Sequence, residues 1–202
     1  MNQTKTRTLF LAASASLVLL TGACSSDTDS SSPASTTSAS ASASAEAASA
    51  GTCPTAAPDS AATPEWTLAG DTGSIAVVGS TDTAAPAVTV EAPFSVAETQ
   101  VKTLTVGDGP VVADDAEVSV CYLGVNGRDG STFDSSYERG APVDFPLNGV
   151  VAGFQKAIAG QTVGSTVAVA VTSADGYPSG QPAAGIEPGD SLIFAIAILS
   201  AS

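Results

Sequence analysis

Val120-Cys121-Tyr122-Leu123-Gly124-Val125-Asn126-Gly127-Arg128-Asp129-Gly130-Ser131-Thr132-Phe133-Asp134-Ser135-Ser136-Tyr137 is the stretch whose reading decides the fold. Val118 and Val120 alternate with Ser119 and Cys121, the two-residue period of a half-buried strand, and Tyr122-Leu123-Gly124 ends the run. Asn126-Gly127 and Asp129-Gly130 follow as two turn signals, because glycine accepts positive φ and Asn or Asp can bond its own backbone. The stretch reads as a strand, an irregular connection and a short second strand carrying Phe133 and Asp134. A Tyr closing one strand and a Phe-Asp pair opening the next can face each other across a small concave site. An ordinary hairpin with an exposed carboxylate has the same pattern.

Downstream, Val143-Asp144-Phe145-Pro146-Leu147 alternates again, with Pro146 pointing to an edge or a bulge. Val150, Val151, Phe154, Ala157 and Ile158 then make one apolar helical stripe, and Gly160 stops it. So short a helix needs a sheet to pack on. Thr166–Thr172 is a strand with Val on one face and Ala on the other, and Ser191–Leu199 is a long apolar strand. Between them, residues 175–189 form a long loop with four Gly and three Pro, whose large apolar residues are Tyr177 and Ile186. Loops of that length inside a compact domain are usually functional. The fold class is α+β: an antiparallel sheet with one short helix.

Upstream, Gly107-Asp108-Gly109-Pro110 is a turn cluster, and the runs 75–78, 88–90 and 101–106 are β-rich. Residues 63–106 read as a β-rich N-terminal extension of the 107–202 domain, since they hold too few large apolar side chains for a core of their own. Trp66 is assigned to packing. Residues 24–62 read as a spacer, dominated by Ser, Thr and Ala, that cannot offset the entropy of ordering. Residues 1–23 have the form of a secretory signal, with Lys5 and Arg7 ahead of an apolar run from Leu9 to Leu20. Leu20-Thr21-Gly22-Ala23-Cys24 resembles the bacterial lipobox, which would leave Cys24 lipidated and the protein tethered to the outer face of the cell membrane. A plain signal peptide cut near Ala23 is the alternative. Cys53 and Cys121 then remain, an even pair in an oxidising compartment, either bridged or left as a linker thiol and a buried thiol.

The chain has 202 residues and a formal net charge of −14. Beyond the signal segment the only cations are Lys102, Arg128, Arg139 and Lys156, so nucleic acid and anionic lipid are poor partners. There is no His, which excludes His-based triads, and two thiols are too few for a structural zinc site.

In order, Gly107-Asp108-Gly109-Pro110, Tyr122-x-Gly124, Asp129-Gly130-x-x-Phe133-Asp134-Ser135-Ser136, Phe145-x-Leu147, Val163-Gly164-x-x-Val167-x-Val169, the Tyr177 flap and Ile186-x-Pro188-x-x-x-Leu192-x-Phe194 resemble the FKBP-type peptidyl-prolyl cis-trans isomerases. The resemblance runs over most of Gly107 to Leu199. It implies a strongly curved sheet wrapped on the helix, prolyl isomerase activity (EC 5.2.1.8) without metal or cofactor, proline-containing clients and macrolide ligands in the pocket. It also implies the site: Tyr122 as a wall, Phe133 and Asp134 at the mouth, Phe154 as the floor, and Tyr177 as the flap hydroxyl. Phe194 and Ile186 complete the lining, while Val143, Val150 and Val151 line the substrate path, with the amide at the helix start meeting a bound carbonyl. Phe145 is assigned to the core. Phe154 stands where many members have Trp, Val143 where an aromatic is common, and Pro178 where Gly is usual, and two residues are missing between Leu147 and Val150. These departures bear on the strength of activity more than on the fold.

The chemistry suits these residue types. Rotating an X–Pro amide is opposed by about 18–20 kcal/mol of lost resonance and takes tens to hundreds of seconds unaided. The twisted amide is less dipolar than the planar one, so a dry aromatic pocket favours it, and no nucleophile is needed. Asp134 is read as a polar wall group, not a general base. The expected function is assistance to the folding of extracytoplasmic proteins, by a chain that acts as a monomer. The alternatives are a non-catalytic module that holds Pro-containing peptides and a purely structural envelope lipoprotein.

Overall fold

A computed structural model describes residues 51–202; the signal segment, Cys24 and the spacer up to residue 50 lie outside the described residues. Three strands, β1 (Trp66–Ala69), β2 (Thr72–Val78) and β3 (Ala87–Ser95), form an antiparallel sheet of their own. A six-stranded antiparallel sheet follows, built from β4 (Gln100–Thr105), β5 (Glu117–Asn126), β6 (Thr132–Ser135), β7 (Val143–Pro146), β8 (Thr166–Val171) and β9 (Leu192–Ala201). Its order is β4-β8-β9-β5-β6, and β7 pairs with the start of β5 beside β6. Two short helices, α1 (Ser136–Arg139) and α2 (Ala152–Ile158), complete the α+β architecture.

The large sheet is buried on both faces, and the two faces differ in residue size. Val167, Val169 and Val171 of β8 join Phe194, Ile196 and Ile198 of β9 in the core shared with Phe154, Ala157 and Ile158 of α2. The alternate residues Ala168, Ala170, Ile193 and Ala195 face the other way and pack with Ile75, Val77 and Phe94 of the small sheet. Small side chains there let the second sheet approach closely, and the near-continuous apolar run of β9 is what two-sided burial demands. The N-terminal extension therefore borrows its core from the main domain.

Four local readings change. The run 101–106, read as part of the extension, supplies β4, which pairs with β8 as the outer strand of the main sheet; a period of two fixes which face is buried, not the partner. The end of the stretch read as spacer is not free either. Cys53 is buried, bridged to Cys121 and packed with Tyr137, while Ala56 accepts a backbone hydrogen bond from Ala85. Helix α2 begins at Ala152, because Val151 is its extended N-cap (φ −61°, ψ 145°). Gly160 follows the helix with φ +78° and takes the left-handed position for which a side chain would be strained. Helix α1 was not read from the sequence at all.

Candidate active site

The rings at the site arrive from four strands, a helix and a loop. Strand β5 ends its inward-facing series Val118, Val120 with Tyr122; β6 contributes Phe133 and Asp134; β7 contributes Val143 and Phe145; β9 contributes Phe194. Phe154 rises from α2, only 5 % exposed. Its ring meets Tyr122, Phe145 and Phe194 edge-on, with centroids 5.6, 5.4 and 5.1 Å away, and Phe133 meets Phe194 in the same way at 5.6 Å. Edge-to-face contacts of this kind stabilise the cluster beyond the area they bury. Together with Val143, Gly149, Val150, Val151 and Tyr177 the rings line a cleft of about 350 Å³.

Gly124 has a steric reason to be glycine. A Cβ there would lie 2.6 Å from the Phe133 ring and 3.1 Å from Phe194, so the two walls close only over a bare backbone. The Val151 amide, at the helix N-cap, has no acceptor among the described residues, whereas the Gly153 amide is bonded to the Asp175 carbonyl.

A polar chain runs along one wall. The Tyr122 hydroxyl donates to Asp134 Oδ2, and Arg139 Nη1 donates to Asp134 Oδ1 at 2.6 Å. The Arg139 guanidinium also lies 6.0 Å from the Tyr122 ring centroid. Burial, then the hydrogen bond to Asp134, pushes the Tyr122 hydroxyl up to about 12. Burial alone would raise the Asp134 carboxyl, but the bonds from Tyr122 and Arg139 outweigh it and hold it below the ordinary carboxylate range. Asp134 is thus an ionised acceptor that fixes the Tyr122 hydroxyl, with no proton to exchange near neutrality.

That arrangement has a pH consequence. Between about pH 5 and 9 neither group changes charge, so kcat/KM for an uncharged X–Pro peptide is expected to be flat. Burial also lifts Tyr137 to about 12. Both tyrosines have folded-state values above the ordinary 10, so they stabilise the fold fully below pH 10 and that stability is lost as pH rises toward 12. A bell-shaped pH profile centred near neutrality would contradict this account.

Most of the expected site residues meet in the cleft: Tyr122, Phe133, Asp134, Val143, Val150, Val151, Phe154, Tyr177 and Phe194. Ile186 does not. It is 1 % exposed, belongs to the core with Leu192 and Val171, and its backbone closes the flap by pairing with Gln181. Burial under the loop removes it from the cleft wall. Phe145, assigned to the core, is instead a half-buried wall residue beside Val143. Arg139 was missed, although its location could be inferred. Ser135-Ser136-Tyr137-Glu138 has the spacing of a helix start, and the Ser135 hydroxyl does accept from the Glu138 amide at 3.3 Å, which turns Arg139 back toward Asp134. A larger cleft of about 550 Å³ lies beside the 52–54 segment, lined by four Thr with Ser80, Asp82 and aliphatic residues such as Ile198 and Leu199, and offers no aromatic wall but Tyr137.

The comparisons with known proteins fall on this part of the chain. A profile described as FKBP-type peptidyl-prolyl cis-trans isomerase matches residues 109–199. A "Probable FK506-binding protein" of Corynebacterium glutamicum is 38 % identical over 101 residues, which are 48 % of this chain and 82 % of that one. The chain belongs to the FKBP-type peptidyl-prolyl cis-trans isomerases. The FK506-binding protein of Streptomyces anulatus is 35 % identical over 101 residues, again 82 % of its length and 48 % of this chain. A crystal structure of a peptidyl-prolyl cis-trans isomerase from Pseudomonas syringae pv. tomato covers 52 % of this chain and 75 % of its own, at 28 % identity and a TM-score of 0.47. As an FKBP-type enzyme the chain is an isomerase of EC 5.2.1.8, and its matched span leaves β1–β4 outside.

Proposed function

We propose that this isomerase acts on proline-containing polypeptides outside the cytoplasm, as a monomer held at the membrane by a lipid on Cys24, and that the aromatic cleft is where the X–Pro amide turns. The observation that carries the reading is the ring cluster around a 350 Å³ cleft whose polar groups include the fixed Tyr122 hydroxyl, the Tyr177 hydroxyl, a carboxylate that already has its donors and a free amide. An apolar cavity of this size buries a prolyl ring and excludes water. The planar amide loses its hydration on entry and the twisted amide, less dipolar, loses less, so the barrier falls by differential binding. The Val151 amide is the donor for a backbone carbonyl beside the proline, and the Tyr122 hydroxyl, held by Asp134 and Arg139, is a fixed edge against which the chain is oriented. One chain supplies every one of these groups, which supports the monomer. The sequence features at residues 1–24 support the anchored location.

The test is a protease-coupled isomerisation assay on the purified protein, with and without an FK506-type macrolide, which the relatives' names point to as a ligand. Acceleration that the macrolide abolishes is the expected result. Tight macrolide binding without acceleration would leave only a peptide-holding module. For the location, the wild type is expected in the membrane fraction and Cys24→Ala in the soluble fraction; equal partitioning of the two sinks the lipid anchor.

A further inference from the structure

The flap between β8 and β9 carries Tyr177, and its N-terminal foot is Asp175. That carboxylate receives Thr99 Oγ1 at 2.6 Å and Lys156 Nζ at 2.6 Å, both on Oδ2. Its carbonyl takes the Gly153 amide of α2 at 2.9 Å. Thr99 makes a second bond, accepting the Thr172 amide at 3.2 Å. Its hydroxyl is therefore shared by the two residues that bracket the turn into the flap. Lys156, then Thr99, holds the Asp175 carboxyl below its usual range, so the clip stays charged at neutral pH.

The other foot is built alike. Asp190, 8 % exposed, accepts from Asn126 Nδ2 and the Glu187 amide at 2.8 Å each, and from Arg128 Nε at 3.3 Å. The segment that leads from β3 to Thr99 reaches this foot too: the Val96 amide bonds Ser191 Oγ at 3.3 Å, and the Phe94 amide bonds the carbonyl of Gly127, whose own amide bonds the Ser191 carbonyl, at 2.8 Å each. Residues 94–99, which run from the end of β3 to the start of β4, thus connect to both feet of the flap while lying outside the span that matches the family. A loop fixed at both feet is pre-organised and loses less freedom when it closes on a ligand.

We infer that the N-terminal extension is a working part of the isomerase: Thr99 is a positioning residue that, together with Lys156, sets the flap through Asp175 and so places Tyr177 over the bound peptide. The inference rests on the reading of the aromatic cleft as the site of isomerisation. Thr99→Val keeps the side chain's shape and removes its hydroxyl, which frees one side of Asp175 and leaves the Thr172 amide without an acceptor.

Steady-state kinetics of the purified protein on a proline peptide, with thermal unfolding in parallel, is the test. Thr99→Val is expected to raise KM roughly fivefold with a smaller change in kcat, the size of one hydrogen bond to a charged group felt through an intermediary. Thr99→Ser restores the wild-type KM. Lys156→Met acts similarly, and the double variant loses less than the product of the two, because both side chains act on one carboxylate. Lys102→Ala, which also removes a cation, leaves KM unchanged. A Thr99→Val protein that melts early but keeps its KM reduces Thr99 to a structural residue and overturns the inference. A wild type without macrolide-sensitive activity overturns the cleft reading, and this inference with it.

Discussion

Phe154→Ala is expected to lower kcat/KM about 100-fold or more, a loss of roughly 3 kcal/mol of transition-state stabilisation. No other side chain in the cleft touches three rings at once, and at 5 % exposure Phe154 has little solvent to lose. Truncation opens a void under Tyr122, Phe145 and Phe194 that neighbours on separate strands cannot collapse into. A buried Phe→Ala change costs ~3–5 kcal/mol of stability, against a usual total of ~5–15 kcal/mol, so the variant stays largely folded at low temperature. The catalytic loss has a separate cause: a cavity that admits water no longer discriminates between planar and twisted amide. Phe133→Ala separates the two effects, because Phe133 is only partly buried and touches one ring of the cluster, Phe194. It should unfold at a denaturant midpoint much nearer the wild type and still lose most of its activity. The measurement is kcat/KM per folded molecule with urea midpoints in parallel; a well-folded Phe154→Ala protein of normal turnover would place the chemistry elsewhere.

How far the sequence reached follows from what local pattern can encode. Alternation put Val118 and Val120 on one face of β5 and the valines Val167, Val169 and Val171 on one face of β8, and the structure packs both faces into the core with α2. The same rule, applied to β7, would have placed Phe145 beside Val143, since residues two apart share a face; assigning them different roles ignored the period. Ile186 failed for the opposite reason. It lies in a loop without period, where only the Gln181 pairing decides which way it turns. The partner of β4 was hidden too, because pairing with β8 is a long-range choice that six residues of any β-rich sequence would satisfy.

The few cations were legible as residues but not as a system. Of the four basic residues among those described, Arg139 grips Asp134, Lys156 grips Asp175 and Arg128 grips Asp190. Exposed ion pairs usually contribute little to stability. Three of four cations nonetheless sit on the cleft wall or the two flap feet, in a chain with 20 acidic residues and 6 basic ones, so their value is in fixing geometry. Net charge, a sum over the whole chain, carries no information about which carboxylate each cation holds, and so said nothing about the site.

Removing the bridge between Cys53 and Cys121 should produce the largest loss of stability without a matching loss of chemistry. The two residues are 68 apart in sequence, and closing a loop of that size restricts the unfolded chain by about 4 kcal/mol in the chain-entropy account. The loop contains β1 to β4, the whole extension whose core is shared with the main sheet. For a folded unit of roughly this size each kcal/mol corresponds to about 2–4 °C, so Cys53→Ala/Cys121→Ala should melt about 10 °C lower. Ser136 connects the bridge to the cleft: its Oγ lies 3.5 Å from Cys53 Sγ and accepts the Tyr122 amide at 2.8 Å. Tyr122 is nevertheless held independently by the pairing of β5 with β9. At 10 °C, well below either transition, the variant should therefore keep kcat/KM within about twofold of the wild type, a difference under 0.5 kcal/mol. Calorimetry and the isomerisation assay on the same preparation decide between outcomes. An unchanged melting temperature would mean that the bridge does not restrain the chain. A collapse of activity at 10 °C would mean that the bridged Cys53 segment, and not the sheet, holds the wall on which Tyr122 stands.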